Sequence, residues 1–356
     1  SNDLFLRDCN FYIICVPTPI RSDNTPNLKY IFKSLDTIAN FLKINDIIVL
    51  ESTVYPGLTE EVCAPYLEKK TGLLLNEDFF LGYSPERINP GDKLHNLRNT
   101  NKIISGSNKK TTLQILKIYS QIIDAKIHIA PSIKIAEAAK VIENIQRDIN
   151  IAFMNELAVI FNKMNIKFID VINAAKTKWN FLPFYPGLVG GHCIGVDPYY
   201  LTYKSKKLSH NPEVILSGRK INNNFSYFIS NIVFKKLINN KVNLNRAKVL
   251  ILGVTFKENI SDYRNTKVID LRNHLQKLVK TIHLWDSNID PMQFYEDTNI
   301  KILNTFEKNY DCIIIAVKHK NIKKLGLNFL KSKLSKKGYI FDLKYLFYPS
   351  SDCIYL

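Results

Sequence analysis

The stretch Asp46-Ile47-Ile48-Val49-Leu50-Glu51 decides the fold class. It is a short apolar run rich in β-branched residues, which is typical of a buried strand. A helical pattern from Leu28 to Leu42 precedes it, and a second apolar run, Phe11-Tyr12-Ile13-Ile14-Cys15-Val16, ends at Pro17 ahead of that helix. Strands separated by helices predict a parallel sheet with right-handed crossovers.

The same alternation occupies both ends of the chain and frames a helical middle. It extends from Asn10 to about Ile129, gives way to helices from Pro131 to about Asn240, and then returns. The further predicted strands are Phe80–Tyr83, Lys102–Gly106, Lys248–Gly253, Thr281–Trp285, Cys312–Val317 and Tyr339–Asp342. The predicted fold class is α/β, with two Rossmann-like parallel-sheet domains joined by a long central helix and a helical dimerisation region.

The central helix is predicted to begin after Ser132, whose hydroxyl suits an N-cap, and to end near Asn165. Its apolar residues recur at helical spacing on more than one face. A helix of this kind usually needs a partner, so we expect an interface within a homodimer or higher homo-oligomer. Packing inside the monomer is the alternative.

Length and composition indicate a soluble protein of two or three domains. Single cores rarely grow far beyond roughly 250 residues, and this chain has 356. Hydrophobic residues make up 46% and charged residues 23%, which excludes a disordered chain. No apolar run is long enough to span a bilayer, and no basic stretch followed by an apolar region opens the chain. The sequence therefore predicts a cytoplasmic protein with no membrane partner.

The net charge of +17 raises the possibility of a nucleic-acid binder. No block of Lys and Arg dominates one segment, and no helix-turn-helix, aromatic ribonucleoprotein run or zinc spacing occurs. We therefore expect no nucleic-acid partner, although the basic surface suits an anionic nucleotide diphosphate. The six cysteines show no metal-ligand spacing, so no metal is expected, and only Cys193 lies in a glycine-rich segment between polar residues.

A dinucleotide-binding sheet usually begins with a strand and a Gly-x-Gly-x-x-Gly turn, whose amides hold the pyrophosphate. The sequence contains no such turn, since Gly253 follows a strand without a second glycine. The first clear strand is typical of a late strand of such a sheet. We therefore expect that the N-terminal part of the first sheet is missing and that the chain as given binds a dinucleotide poorly.

Six motifs follow one another along the chain and carry the functional prediction. They are Val16-Pro17-Thr18-Pro19, Glu51-Ser52-Thr53-Val54-Tyr55-Pro56-Gly57, Ser84-Pro85-Glu86-Arg87, Lys140-Val141-Ile142-Glu143-Asn144, Gly190-Gly191-His192-Cys193-Ile194-Gly195-Val196-Asp197, and Thr255-Phe256-Lys257-Glu258-Asn259 with Asp262-Tyr263-Arg264-Asn265. In this order they resemble the UDP-glucose/GDP-mannose dehydrogenase family, from Tyr12 to about Lys344.

The resemblance implies an NAD-dependent, four-electron oxidation of the C6 alcohol of a nucleotide sugar to a carboxylate. Cys193 is then the nucleophile that forms a thiohemiacetal and a thioester, because a thiolate both adds to an aldehyde and leaves readily. If Cys193 began a helix, the exposed amides there would favour its thiolate. The two glycines before it are expected to let the backbone approach the sugar.

The resemblance also assigns roles to other residues of the motifs. Lys140 and Asn144, one helical turn apart, are expected to hold the C6 oxygen, with Asp197 assisting proton transfer through a water. Glu86 is expected to position the hydrolytic water, and Thr53 to orient that water or the nicotinamide. The expected cofactor-binding residues are Val16, Pro17, Thr18, Glu51, Ser52, Thr53 and Arg264. The expected substrate-binding residues are Glu86, Arg87, Lys140, Asn144, Phe181, Tyr185, Gly190, Arg219, Phe256, Lys257 and Lys344, with Arg219 donated across a dimer.

With these roles, the predicted domains are residues 1–131, the remainder of an NAD-binding domain; 132–240, a helical domain with the cysteine loop and the dimer interface; and 241–356, a UDP-binding domain. Val196 stands where glucose-type members usually have lysine. This form resembles the subgroup that oxidises UDP-N-acetylhexosamines, including N-acetylmannosamine and N-acetylglucosamine, for surface polysaccharide. Two alternatives stay open: a UDP-glucose 6-dehydrogenase, and a catalytically silent nucleotide-sugar-binding oligomer if the glycine turn is truly absent.

Overall fold

The computed structural model describes residues 3–89, 91–92 and 94–356. The chain divides into two compact units. The first comprises the described part of Ser1–Gln146 together with Val196–Pro212, and the second comprises Arg147–Gly195 together with Glu213–Leu356. Each unit contains one five-stranded sheet.

The strands are β1 (Phe11–Ile14), β2 (Ile47–Leu50), β3 (Phe80–Tyr83), β4 (Lys102–Gly106), β5 (Ile127–Ile129), β6 (Lys248–Leu252), β7 (Thr281–Trp285), β8 (Tyr310–Ile315), β9 (Leu334–Asp342) and β10 (Cys353–Ile354). The helices are α1 (Lys29–Ala39), α2 (Ala64–Thr71), α3 (Lys109–Tyr119), α4 (Ile133–Lys163), α5 (Phe168–Ala175), α6 (Asp197–Lys207), α7 (Glu213–Asn239), α8 (Lys267–Gln276), α9 (Pro291–Thr298), α10 (Lys320–Leu325) and α11 (Leu327–Lys331). A short 3-10 helix, Asp3–Asp8, precedes β1, and a π-helical turn, Thr59–Cys63, leads into α2.

The sheet of the first unit has the strand order β1-β2-β3-β4-β5. The pairs β1/β2, β2/β3 and β4/β5 are parallel, but β3 and β4 are antiparallel. The prediction of a parallel sheet is therefore wrong at this one pair. A parallel neighbour requires a crossover connection, usually a helix, and the described residues between Tyr83 and Lys102 form no helix.

The second unit has a sheet with the order β10-β9-β8-β6-β7, in which every paired strand is parallel. The predicted α/β class with Rossmann-like sheets is confirmed. Strands buried on both faces explain why both sheets are recognisable as apolar runs. In β6, for example, Val249 and Ile251 belong to one buried apolar cluster and Leu250 and Leu252 to another, because alternate residues point to opposite faces.

The predicted central helix is α4, which is 31 residues long. The Ser132 hydroxyl accepts a hydrogen bond from the Ile135 amide at 3.3 Å, which confirms its predicted capping position. Among the described helices, none combines the length and the apolar character needed to cross a bilayer.

Candidate active site

The first and second motifs of the sequence lie at the carboxyl ends of two neighbouring parallel strands. Val16 to Thr18 follow β1, and Glu51 to Thr53 follow β2. The Ser52 hydroxyl joins the two segments, since it accepts a hydrogen bond from the Val16 amide at 2.9 Å and donates one to the Val16 carbonyl at 2.8 Å. Dinucleotides bind at this edge of open α/β sheets, so the arrangement fits the predicted NAD contacts.

The Glu51 carboxylate is engaged inside the first unit. Lys102 Nζ lies 2.9 Å from Glu51 Oε1, with side chains only 4% and 11% exposed, and the Tyr119 hydroxyl also donates to this carboxylate. Lys102 donates a further hydrogen bond to the Pro85 carbonyl at 3.2 Å. The buried ion pair thus ties the end of β2 to the third motif, and the cofactor contact predicted for Glu51 stays a prediction.

The third motif is joined to α4 through Arg87. Its guanidinium forms a two-pronged contact with Glu143, from Nη2 to Oε1 at 2.7 Å and from Nε to Oε2 at 3.3 Å. Glu143 directly precedes Asn144. Glu86, in contrast, is exposed, and its carboxylate accepts a hydrogen bond from the Ile88 amide. The predicted acid is therefore open to solvent, whereas the predicted substrate ligand Arg87 is held by a carboxylate of the protein.

Three of the predicted catalytic side chains come together in the first unit. Asn144 Nδ2 donates to Asp197 Oδ2 at 2.6 Å, and Lys140 lies one turn earlier on α4. Lys140, Asn144 and Asp197 are 8%, 6% and 3% exposed. Burial raises the pKa of Asp197 to about 6, and the charge of Lys140 and the Asn144 hydrogen bond hold it from rising further. A carboxylate with a pKa close to neutral is suited to proton transfer.

Glu137 was not foreseen by the sequence analysis. It lies one turn before Lys140 on α4, is fully buried, and receives hydrogen bonds from the Gly57 amide, from the Thr59 amide at 3.0 Å and from the Thr59 hydroxyl at 2.6 Å. Burial raises the pKa of Glu137 to about 7. It fixes the turn that follows Thr53. Its place between Ala136 and Ala139 was the available signal, because an acid among small buried residues usually has a partner.

The cysteine loop belongs to the second unit, where its glycines are required for packing. A Cβ on Gly190 would lie 2.6 Å from the Asn265 carbonyl oxygen, and one on Gly191 would lie 2.7 Å from the Phe256 ring. Gly191 also has a φ of +86°. These glycines let the loop pass close to its own protein neighbours, and the expectation that they also let the backbone approach the sugar stays a prediction.

Cys193 is exposed, four residues ahead of α6, so it does not begin a helix, and the conditional argument from helix amides does not apply. A cation is present instead. The Asp262 carboxylate, hydrogen-bonded to the guanidinium, raises the pKa of Arg264, and the negative charge of a Cys193 thiolate adds to this shift. A neighbouring positive charge favours thiolate over thiol.

A buried polar network holds the chain just before this loop. Asn155 accepts from the Gly187 amide at 2.8 Å and donates to the Gly187 carbonyl at 3.1 Å, so it clamps one residue through both backbone groups. Asn155 also donates to Asn222 at 2.8 Å, and Asn222 donates to Asp148 at 2.7 Å. The sequence carried no signal for this clamp, because its partners are far apart along the chain.

Arg219 belongs to the same network. It is 3% exposed, and its Nη1 lies 2.6 Å from Asp148 Oδ1. The guanidinium is thus used within its own unit, which the sequence analysis did not foresee. Its predicted donation across a dimer stays a prediction.

A cavity of about 110 Å³ lies at the carboxyl edge of the second sheet. Three of its lining residues, Phe256, Lys257 and Lys344, are among those predicted to bind the substrate. The other lining residues are Leu188, Thr255, Glu258, Thr266, Val268, Ala316 and Val317. Burial lowers the pKa of Lys344. The predicted Phe181 packs against the apolar core of this unit, and Tyr185 is 41% exposed with its ring 6.3 Å from that of Tyr345. An aromatic ring beside ammonium groups suits a base attached to phosphates.

Three family models match the chain. Residues 2–123 match the NAD binding domain of the UDP-glucose/GDP-mannose dehydrogenase family, residues 134–224 its central domain, and residues 250–349 its UDP binding domain. A UDP-N-acetyl-D-glucosamine 6-dehydrogenase of Salmonella typhi is 48% identical over 342 residues, which cover 96% of this chain and 80% of that protein. The enzyme of the same description from Pseudomonas aeruginosa is 47% identical over 344 residues, covering 96% and 81%.

A solved structure of a UDP-D-ManNAc dehydrogenase from Pyrococcus horikoshii is similar throughout. It superposes with a TM-score of 0.88 at 28% identity and covers all of this chain and 82% of its own. An NDP-N-acetyl-D-galactosaminuronic acid dehydrogenase from Methanosarcina mazei Go1 superposes with a TM-score of 0.86 at 25% identity, covering 100% and 78%.

The raised pKa of Asp197 predicts how stability depends on pH. The folded carboxyl, with a pKa of about 6 against a reference value of 3.8, binds its proton more tightly than the unfolded chain does. Its contribution is therefore present below pH 4 and is lost as pH rises through 6. Asp197→Asn removes this titration, so the free energy of unfolding of the variant relative to wild type should rise by about 2 kcal/mol between pH 4 and pH 7.

Calorimetric unfolding across this pH range measures the difference. Asp124→Asn, at a side chain that is 67% exposed, is the matched control and should give a flat difference. A flat difference for Asp197→Asn as well would show that Asp197 is not the raised carboxyl.

Proposed function

Because this chain belongs to the UDP-glucose/GDP-mannose dehydrogenase family, we propose that it oxidises the C6 alcohol of a UDP-N-acetylhexosamine to the uronate. It is an NAD-dependent nucleotide-sugar 6-dehydrogenase. The observation that carries the substrate class is the 48% and 47% identity, over almost the whole chain, to two UDP-N-acetyl-D-glucosamine 6-dehydrogenases. Val196, in place of the lysine usual in glucose-type members, supports the same class.

The buried group of the first unit suits the oxidation of the alcohol. When bound, NAD supplies the hydride acceptor, and Val16, Pro17, Thr18, Ser52, Thr53 and Arg264 are the side chains and backbone that we propose hold it. In the proposed step the C6 hydroxyl loses a proton and a hydride and becomes an aldehyde. Lys140 and Asn144 hold the oxygen as its charge develops, and Asp197 takes up the proton through a water.

The covalent step is assigned to Cys193. Its thiolate adds to the aldehyde carbon, and the aldehyde oxygen takes up a proton to give the thiohemiacetal. Loss of a second hydride, which a second NAD would accept, together with loss of the hydroxyl proton converts the thiohemiacetal into a thioester. Water then attacks the thioester carbon, the carboxylate is released, and the thiolate leaves. Glu86 is proposed to position that water, because its carboxylate is exposed. Arg264 is proposed to support the thiolate, because a guanidinium near Cys193 would favour the anion.

We further propose that α4 joins two or more copies of the chain. Four large apolar side chains on this helix, Ile135, Ile142, Phe153 and Ile160, are 49%, 55%, 50% and 44% exposed. Exposed apolar rows of this kind usually mark an interface. The division into domains at residues 131 and 240, action in the cytoplasm and supply of a surface polysaccharide stay proposals of the sequence analysis.

The full-length gene product is expected to form about two NADH per molecule of UDP-N-acetylglucosamine or UDP-N-acetylmannosamine, because a thioester intermediate commits the sugar to both oxidations. Absorbance of NADH measures the yield with limiting sugar, and UDP-glucose serves as the comparison. Turnover of UDP-glucose without turnover of any UDP-N-acetylhexosamine would overturn the substrate class. One NADH per sugar would overturn the four-electron reaction.

Cys193→Ser is expected to stop the reaction after the first oxidation, since a serine hydroxyl is a poor nucleophile and a poor leaving group here. The yield should fall to at most one NADH per sugar, and no uronate should accumulate. Cys9→Ser is the matched control, as this half-buried thiol lies outside every motif. Uronate production at the wild-type rate by Cys193→Ser would exclude Cys193 as the nucleophile.

Phe153→Glu is expected to weaken the association of subunits, because it places a charge in an apolar interface. Sedimentation velocity at micromolar concentration should show a shift towards the monomer. Asn162→Glu adds the same charge at an exposed polar position of α4 and should leave the distribution unchanged. A wild-type protein that sediments as a monomer at all concentrations would exclude the oligomer.

A further inference from the structure

A buried imidazole links three strand ends at the carboxyl edge of the second sheet. His319 follows β8, is 1% exposed, and contacts Asp286, which follows β7, with 3.1 Å between Nε2 and Oδ2. Asp286 Oδ2 also accepts hydrogen bonds from the Val254 amide at 2.7 Å and the Thr255 amide at 3.3 Å, just beyond β6. Neither His319 nor Asp286 was among the site residues predicted from the sequence.

The hydrogen bonds assign one tautomer to His319. Nδ1 faces two donors, the Asn259 amide at 2.9 Å and the Asn288 side-chain amide at 2.8 Å, so it must carry the lone pair. The Thr255 hydroxyl lies 3.0 Å from Nε2 and donates its own hydrogen to the Lys257 carbonyl at 2.7 Å. It therefore accepts from Nε2, which bears the proton and shares it between Thr255 and Asp286.

The two ring nitrogens thus hold the two ends of one loop. Nε2 contacts Thr255 at its start and Nδ1 contacts the Asn259 amide at its end. Asn259 has a φ of +59°, so the chain turns sharply there, and its side chain accepts from the Lys320 amide at 2.8 Å. Between these anchors lie Phe256, Lys257 and Glu258, all of which line the cavity of about 110 Å³.

We propose that His319 is a positioning residue for nucleotide binding. Its neutral imidazole holds the Thr255–Asn259 loop in the one conformation that presents Phe256 and Lys257 to the nucleotide part of the substrate. The role rests on the proposed function, since it takes the cavity to be the nucleotide site. It requires an acceptor at Nδ1, because without one the part-buried hydrogen bond of the Asn259 amide is lost and this end of the loop is no longer held.

Two substitutions separate the two ring nitrogens. His319→Gln places an amide nitrogen near the position of Nε2 and keeps the donor to Asp286, but it removes the acceptor for Asn259. His319→Asn places an amide oxygen near the position of Nδ1 and keeps that acceptor. Both replace the imidazole by a smaller amide, so a loss caused by packing alone would affect both variants.

Isothermal titration with UDP, the probe without a sugar, and steady-state kinetics with the UDP-sugar test the proposal. For His319→Gln we expect the Kd for UDP and the KM for the UDP-sugar to rise about 10-fold, with kcat within about twofold of wild type, because the Asn259 amide loses its acceptor while the side chains assigned to the reaction are unchanged. His319→Asn should keep the Kd within about threefold, as it retains the acceptor. His283→Gln, at a half-buried histidine of β7 that contacts the Tyr310 hydroxyl, is the matched control and should bind UDP as wild type does.

Wild-type UDP affinity in His319→Gln would overturn the proposal. Equal losses in His319→Gln and His319→Asn, accompanied by equal falls in melting temperature, would also overturn it, since packing alone would then be the cause. A wild-type protein that binds UDP but oxidises no UDP-N-acetylhexosamine would refute the proposed function, and the comparison of the two His319 variants by UDP binding would still decide the role of His319.

Discussion

The Asp197 carboxylate, buried beside the Lys140 ammonium and the Asn144 amide, is the interaction on which the catalytic part of the first unit depends. An isolated carboxylate is expensive to bury, so its surroundings must supply a charge and a hydrogen bond. Both come from one face of α4, at positions four residues apart. The Lys140 charge and the Asn144 hydrogen bond do not fully offset the effect of burial, because burial still raises the pKa of Asp197 to about 6. A group left in this state exchanges its proton near neutral pH, which is the property that a proton-transferring carboxylate needs.

The same requirement for partners organises the other motifs. Glu51 is paired with Lys102 at the end of β2, and Glu137 accepts hydrogen bonds from the backbone of the turn after Thr53. His319 is surrounded by hydrogen-bond partners beside the cavity that we propose binds the nucleotide. In each case a buried polar side chain holds a segment that itself carries the predicted binding residues. Such pairs are weak evidence for stability but fix one arrangement of the chain, since a wrong arrangement would leave a charge or a donor without a partner.

Features that depend on residues close together in the sequence were predictable, and features that depend on residues far apart in the sequence were not. The strands β2 and β6 were predictable because a buried strand is a local apolar run, and the Lys140-to-Asn144 spacing was predictable because a helix repeats every 3.6 residues. The antiparallel direction of β4 was not predictable. It depends on the connection that follows Tyr83, and that connection carries no periodic pattern. Asn155 and His319 were not foreseen either, because their partners lie up to 67 residues away along the chain.

Position 196, which the resemblance to the family suggests as a marker of substrate class, carries a buried side chain. Val196 is 4% exposed and belongs to the buried apolar cluster that also contains Val54 and Tyr200. It directly precedes Asp197 in the sequence. A lysine there would have to bring its ammonium group out of this cluster or place a second positive charge close to Asp197, and in the latter case the pKa of the carboxyl would fall. The residue that distinguishes the subgroup in sequence therefore lies in the core of the first unit, beside the group whose protonation the proposed reaction uses.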